Sequence, residues 1–427
     1  MKSIKKKVVS NIFKIGESLK PILLKIIPKK YLNKAKTKLL NTVYNSKIDS
    51  ERIPFIKGEY PFGVNLIGYV KSPFGLGEGC RLYASVLEKT SIPFGIIDIK
   101  SGTIFNNKDR KCNKKIIKNP KFNINIFHIN PEEMLRLKVT LPENTWDKRY
   151  NIGIWLWELP EFPDEWFNAF SLVDEIWAPS QYCVDTIAKK SPVPVKLMPY
   201  GLSAVSSRKF DRKHFGLPLG SFLFLIMFDA KANFKRKNPL GAIKAYKRAF
   251  RKEDNSVGLI IKISNLTDEI TAIIKEELEG YKNIKIIEKT LSKLEVNSLI
   301  SICDVLVSLH RCESFGLVIA EAMLLKTAVI ATCWSGNSDF MTTETACCVD
   351  SQLVEIDDDY TIFKANQFWA NPDIIQATVF MKILKADSNY RKLITQNAYN
   401  FIIKNYSNKI GKDLLYKRIV EINNNIS

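Results

Sequence analysis

The chain is 427 residues long, more than one ordinary hydrophobic core accommodates, so two α/β domains are the natural expectation. With 46% apolar and 25% charged residues it has the balance of a folded soluble protein and not of a disordered one. The net charge of +20 is lopsided: residues 1–50 hold 13 lysines against Glu17 and Asp49, a net of +11, so the basic partner surface is concentrated at one end.

That first stretch reads as an amphipathic helix. Ile4, Val8, Ile12, Ile15, Leu19, Ile22 and Ile26 recur at helical spacing, with lysines mostly on the other face and breaks at Pro21 and Pro28. A basic arm over 1–55 suits an anionic membrane surface, and packing on the protein's own body is the other reading. No run approaches the roughly 20 apolar residues of a spanning helix. The basic start has no uninterrupted apolar run and no small-residue cleavage site, which argues against a signal peptide. The eight cysteines form no CxxC and only three histidines accompany them, which argues against a zinc site. Thiols in apolar runs fit a reducing compartment, hence the cytoplasm, with a peripheral place on the inner face of the cell membrane if the arm binds lipid.

From residue 61 a strand, turn, helix alternation begins. GVNLIGYV is a strand, KSPFGLGEG a glycine-rich loop, and EGCRLYASVLEKT a helix. PFGIIDIK, NINIFHIN, YNIGIWLWEL, EIWAPS and VKLMPYG read as further strands, with QYCVDTIAKK a helix before the last. A polar, basic break at 203–220 reads as the linker. The alternation then restarts with SFLFLIMFD and continues through VGLIIKIS, NIKIIEK, DVLVSLH, AVIAT and ACCVD, ending in a helical tail. The boundaries that follow are an arm at 1–55, Rossmann-like domains at 56–205 and 206–395, and a tail at 396–427. Apolar strands alternating with helices imply parallel sheets covered on both faces, facing each other across a cleft.

The sharpest feature is HRCESFGLVIAEAM (310–323). A buried strand ends, a short turn follows, and a helix is expected to start near Ser314, with free backbone N–H groups suited to phosphates or hydroxyls. Glu313 stands at the start and Glu321 about two turns deeper on a similar face. Glu321 lies in an apolar run, where a carboxylate needs a partner. The bland alternative is a cap at Glu313 and a surface residue at Glu321. In FDAKANFKRKNPLGA, Arg236 and Lys237 precede a helix opening at Asn238-Pro239, where cations can stabilise a leaving diphosphate or form a plain basic loop. Gly75 and Gly77 in SPFGLGEG allow close backbone approach or a simple turn, and the run is not GxGxxG with a downstream acid. His128 ends a strand, with Asn130 in the same neighbourhood; a structural histidine is the alternative. Glu158 ends the strand carrying Trp155 and Trp157, which with Trp166 stack sugars or fill core. Asp357 and Asp359 read as a solvated acidic loop.

Together with WLWELPEFPDEW, EIWAPSQY, MPYG, FKRKNP and ATCWSGNSDFM, these runs resemble the retaining glycosyltransferases of the GT-B fold, family 4, over about residues 61–400. The resemblance implies an acceptor domain followed by a donor domain. It implies that Glu313 contacts the donor sugar and Glu321 the ribose, that the backbone at Phe315 and Gly316 meets the sugar, and that Ser314 belongs to the donor site. Lys237 would hold the diphosphate, with Arg236 or Lys231 beside it. His310 would line the donor pocket, Gly75 and Gly77 would lie over the phosphates, and His128 would help place the acceptor. No cofactor or metal is implied beyond the co-substrate, a UDP- or GDP-sugar. Catalysis would be front-face attack with the departing phosphate taking the acceptor's proton. With the basic arm, the acceptor expected is a saccharide, lipid-linked, in surface polysaccharide assembly. A sugar phosphorylase or nucleotide-sugar epimerase on the same fold, and a non-catalytic sugar- or nucleic-acid-binding protein, are the competing readings; the absence of an aromatic-interleaved basic stripe argues against nucleic acid.

Overall fold

A computed structural model of the chain describes residues 23, 27, 31, 32, 52–99, 112–230, 232–360 and 362–425. The expected amphipathic arm and Lys231 therefore lie outside the described residues, apart from those four positions in the arm.

The first sheet is fully parallel, with strands β1 (Val64–Gly68), β2 (Phe94–Asp98), β3 (Ile124–His128), β4 (Tyr150–Ile154), β5 (Glu175–Ala178) and β6 (Val195–Leu197) in the order β2-β1-β3-β4-β5-β6. Its central strands are buried on both faces, as a parallel sheet flanked by helices requires. Polar residues survive inside it because they satisfy one another. Asn65, Asn125 and Asn151 stand in register on β1, β3 and β4. Asn65 Nδ2 donates to Asn125 Oδ1 at 2.9 Å, and Asn125 Nδ2 donates to Asn151 Oδ1 at 2.8 Å. Asn151 then donates to the carbonyls of Trp146 and Arg149. A fully bonded ladder of this kind escapes the cost of burying unpaired amides.

Helix α1 (Gly75–Leu87) follows β1, α2 (Pro131–Thr140) follows β3, and α3 (Gln181–Ala188) follows β5. Helix α1 starts earlier than the sequence suggests, so Gly75 and Gly77 form its first turn and not a loop. Likewise β4 stops at Ile154 and WLWEL is extended chain beyond the sheet, so Glu158 does not end a strand. The reason is aromatic: Trp155, Trp157 and Leu159 are fully buried and pack with Phe162, Trp166 and Phe170, in one core with Ile67, Phe127 and Ile176 of the sheet. All three candidate stacking tryptophans therefore fill core.

The second sheet is also fully parallel: β7 (Phe222–Asp229), β8 (Val257–Ser264), β9 (Ile284–Ile287), β10 (Val305–Ser308), β11 (Ala328–Thr332) and β12 (Cys347–Val349), in the order β12-β11-β10-β7-β8-β9. Its helices are α4 (Phe234–Lys237), α5 (Pro239–Ala249), α6 (Asp268–Glu277), α7 (Lys293–Ile302) and α8 (Leu317–Leu324). An antiparallel hairpin, β13 (Ser351–Glu355) and β14 (Phe368–Pro372), was not legible in the sequence. Asp357 and Asp359 lie exposed between its strands, Asp357 pairing with Lys235 at 3.2 Å.

Helix α9 (Ile374–Ala386) packs on α5, and α10 (Ser388–Tyr406) on α8. The boundary expected at 395 and 396 falls inside α10. The chain crosses back at Ser407, which bridges Leu202, so outgoing and returning chains lie side by side. Gly411 makes this possible: a Cβ there would meet Gly201 Cα at 2.6 Å. Helix α11 (Asn408–Asn425) then packs on α1 of the first half, where Arg418 pairs with the fully buried Glu175.

Candidate active site

Strands β7 and β10 are neighbours in space but not in sequence, and the strand order reverses between them. The loops leaving their C-terminal ends run in opposite directions and open a crevice, the place where open α/β sheets bind ligands. Arg236 and Lys237 follow β7, and Glu313 follows β10.

The local chain forces these side chains together. Asn233 (φ 65°) and Asn238 (φ 47°) adopt positive φ and bracket the single turn α4. Asn233 Oδ1 accepts from the Arg236 N–H at 3.1 Å. Asn238 caps α5 and donates to the Leu309 carbonyl at 2.8 Å, tying the β7 loop to the end of β10. Opposite them, Ser335 (φ 70°) receives the Glu313 N–H at 2.8 Å, and Gly336 N–H donates to the Glu313 carbonyl at 2.8 Å. A Cβ on Gly336 would sit 2.0 Å from the Ser314 carbonyl oxygen, so only glycine fits. Three non-glycine residues at positive φ around one ion pair are the kind of strain that clusters at functional sites.

At the centre, Lys237 Nζ pairs with Glu313 Oε1, and Arg236 Nη1 lies 3.5 Å from Glu313 Oε2. Arg236 Nη1 also donates to the Cys312 carbonyl at 2.8 Å and stands 3.7 Å from Glu158 Oε1 of the first half. Burial alone would push the Glu313 carboxyl up, but Lys237 and Arg236 outweigh it and hold it at about 2. Burial disfavours the charge on Arg236, and Glu313 and Glu158 restore it, so the guanidinium is held above its usual value.

The second glutamate has a different partner. Glu321 is 3% exposed and pairs with Lys293 at the start of α7. Lys293 Nζ also lies 3.3 Å from Glu78 Oε1 on α1, so it reaches both halves of the molecule. Burial raises the Glu321 carboxyl above its ordinary value in spite of Lys293. At Glu78 burial also pushes upward, and Lys293 and Arg81 outweigh it and lower the value. Arg81 holds this corner by donating to the Val70 and Ser72 carbonyls.

The structure thus brings Glu313, Lys237 and Arg236 into one cluster, and sets Glu321 in a second with Lys293. Helix α8 starts at Leu317 and not near Ser314. Gly316 (φ 88°) caps it, and the Ser314 carbonyl is taken by Ser180 Oγ at 2.6 Å. The Phe315 ring is core, packed on Tyr200, Phe340 and Tyr406. His310 is fully buried with Nε2 2.9 Å from Asn337 Oδ1 and Nδ1 3.1 Å from Ser308, so both nitrogens serve the scaffold. His128 is fully buried in the first sheet, with Nε2 3.1 Å from the Tyr200 hydroxyl and Nδ1 unpartnered. Burial lowers it to about 4, which keeps it neutral. Asn130 receives the Leu156 N–H at 3.2 Å. Gly77 serves its own turn, since a Cβ there would meet the Ser72 carbonyl oxygen at 2.1 Å, while Gly75 has open space beside it. Sequence reasoning missed Lys293, Glu78, Ser335 and Gly336. The Ser292 and Glu295 capping box before α7 marked only a helix start, and a helix start says nothing of what its first lysine reaches. Among the described residues no group of three or more His, Cys, Asp or Glu could hold a metal ion, and no helix is long and apolar enough to cross a membrane.

Residues 208–354, which hold both clusters except Glu78 and Glu158, match the family described as glycosyl transferases group 1. No curated protein matches the chain in sequence. Among solved structures, Anabaena HepE in complex with UDP-glucose is similar with TM-score 0.63 at 11% identity, covering 84% of this chain and 99% of that one. A glycosyltransferase from Rickettsia africae has TM-score 0.62 at 12% identity, covering 86% and 99%. A variant of S. aureus TarM, in complex with Fondaparinux, alpha-GlcNAc-glycerol and UDP, has TM-score 0.51 at 15% identity over 69% of this chain, which spans 55% of the TarM chain. At these identities the likenesses speak for the fold, two facing Rossmann-like domains of the GT-B type. With the group 1 domain that the second of them carries, the chain is a glycosyltransferase.

Proposed function

We propose that the chain moves a glycosyl group from a UDP- or GDP-sugar to a saccharide acceptor with retention of anomeric configuration, in the manner of glycosyltransferase family 4. The observation that carries this reading is the Lys237–Glu313–Arg236 cluster at the reversal of strand order. A diphosphate drawn to Lys237 and Arg236 frees Glu313 to accept hydrogen bonds from sugar hydroxyls, and the same exchange at Lys293 frees Glu321 for a ribose. The two cations supply the leaving-group stabilisation that a metal supplies elsewhere, so no metal cofactor is needed. The HepE structure contains UDP-glucose and the TarM structure UDP, which favours a uridine nucleotide first. The basic arm, with 13 lysines in 50 residues, favours an acceptor held at the cytoplasmic membrane face, such as a lipid-linked oligosaccharide of a surface polysaccharide.

The test is a thermal-shift screen against UDP, GDP, ADP and their sugars, since a ligand at about 100 times its Kd adds about 2.7 kcal/mol. A nucleotide-specific shift that persists in EDTA is expected, followed by an α-linked product from an α-linked donor. No shift with any nucleotide refutes the reading. Turnover without an acceptor into an epimerised donor, or turnover that requires phosphate, replaces it with an epimerase or a phosphorylase.

A further inference from the structure

Between the hairpin of β13 and β14 and the start of α5 lies a cavity of about 590 Å³ that the glycosyl-transfer reading does not use. Its walls are α4, the first turns of α5, Arg311 on the turn after β10, the hairpin, and the first residue of α9. Glu313, Lys237, Arg236, Glu321 and Lys293 do not line it. It adjoins their cluster through the backbone: the Arg311 N–H donates to the Arg236 carbonyl at 2.8 Å.

Three cations line the cavity, Lys235, Lys244 and Arg311, against two acids, Glu355 and Asp357. Lys235 pairs with Asp357 at 3.2 Å. Lys244 and Arg311 make no ion pair among the described residues, and of these two the fold holds Arg311 in a set position. Its guanidinium lies over the Trp369 ring, 5.3 Å from the centroid, and Nη1 donates to the Ala370 carbonyl at 3.3 Å and to Asn371 Oδ1 at 3.1 Å. Both acceptors are neutral. Burial lowers the guanidinium below its usual value, and the nearby Asp357 does not make up the difference. Nη2 and Nε make no hydrogen bond among the described residues. A guanidinium fixed at one nitrogen, with further N–H groups left over and no counter-ion, matches the two oxygens of a phosphate, which takes both donors at once.

The volume says more about the ligand than the charge does. It falls among small-molecule sites, roughly 300–1,000 Å³, so a phosphate bound here has room to carry a larger body. Glu355 and Asp357 are exposed on the hairpin side and would repel a second anion, but a carboxylate accepts hydrogen bonds from hydroxyls. One anionic group on a neutral, hydroxyl-bearing body satisfies both kinds of wall.

We propose that this cavity is a binding site for a phosphorylated sugar, separate from the donor site. Arg311 takes the phosphate in a two-pronged contact, Lys244 adds a second positive charge, and Glu355 accepts from a hydroxyl of the sugar. The inference goes beyond the glycosyl-transfer reading and does not depend on which nucleotide the cleft takes.

The experiment titrates the full chain with glucose 6-phosphate, inorganic phosphate and glucose by isothermal titration calorimetry, for the wild type, Arg311→Met and Lys244→Met. Glucose 6-phosphate is expected to bind the wild type more tightly than phosphate does, and glucose not at all. Arg311→Met should weaken glucose 6-phosphate by about tenfold or more, the loss of a charge-assisted contact, and Lys244→Met by a smaller factor. Lys244 is exposed on α5, so its variant reports on the site even if Arg311→Met folds poorly. Saturating UDP should leave the binding in place. Absence of binding by either phosphate, equal affinity in wild type and Lys244→Met, or displacement by UDP, which would put the anion at Lys237 and Arg236, overturns the proposal. Equal affinities for phosphate and glucose 6-phosphate overturn the assignment to a sugar. A wild type that binds glucose 6-phosphate but no nucleotide refutes the glycosyl-transfer reading and leaves this site standing.

Discussion

Replacing Lys293 with Met isolates what holds Glu321 in place. Glu321 is 3% exposed, on a helix whose other inner residues are Ile319, Ala320, Ala322 and Met323. Removing one member of a buried pair typically costs 3–5 kcal/mol, because the remaining charge is left without compensation. The Lys293 side chain is 35% exposed, so water already screens part of the interaction, and about 2–3 kcal/mol is the fitting magnitude here. That corresponds to a fall in Tm of roughly 5–10 °C for a domain of this size. The sign with pH follows from Glu321, whose carboxyl is already raised by burial and would rise further once its cation is gone. A group raised in the folded state binds a proton that the unfolded chain releases. The penalty is therefore absent below the unfolded value of about 4.3, grows as pH rises, and levels off above the folded value. Glu78, which loses the same cation, shifts in the same direction. Melting curves of wild type and Lys293→Met at pH about 4.5, 6 and 8 should diverge with rising pH, and adding Glu321→Gln should restore most of the loss. A Tm difference independent of pH, or a double variant no better than the single one, would refute the assignment of Lys293 as the counter-ion of Glu321.

The other predictions concern the reaction, the core and the arm. Glu313→Ala and Lys237→Ala should each lower transfer by at least about 10²–10³-fold with an unchanged far-UV circular dichroism spectrum, and undiminished activity in either variant would refute its role. His128, held at about 4 by burial, should cost the wild type about 3 kcal/mol of stability as pH falls from 6.5 through 4, because the unfolded chain takes up the proton first. His128→Asn should flatten that acid limb in a pH series of melts, and an unchanged slope would refute the burial argument. Deleting residues 1–50 should weaken co-sedimentation with anionic vesicles, and unchanged partitioning would count against a membrane role for the arm.

Periodicity made the two sheets legible. Every apolar run assigned as a strand is one, because parallel strands buried on both faces carry an uninterrupted apolar signal. What failed were the ends. WLWEL looks like strand because its tryptophans alternate, yet those rings seek an aromatic core beside the sheet, and the chain leaves the ladder to reach it. The hairpin of β13 and β14 escaped notice because half its residues are exposed and its alternation is weak. In the site, Glu313 and Lys237 were readable since each stands beside a strand end with a turn signal. Lys293 and Glu78 were not: they lie 28 and 243 residues from Glu321 in sequence, and long-range partners leave no periodicity.

The arrangement of charges explains why Glu313 and Glu321 survive burial. Each is neutralised by cations of the same domain, and in each cluster one cation also reaches an acid of the opposite domain: Arg236 lies between Glu313 and Glu158, and Lys293 between Glu321 and Glu78. No carboxylate in the cleft can release its cation into the interior at low cost, because an unpaired buried charge costs several kcal/mol. A neutral sugar therefore cannot displace Arg236, Lys237 or Lys293, since it offers them no charge in return. On the proposed reading a diphosphate can, because it offers the cations an anion in exchange. On that reading, selectivity for an anionic, phosphorylated donor over a free sugar follows from the pairing of the buried charges and not from any contact with the sugar itself.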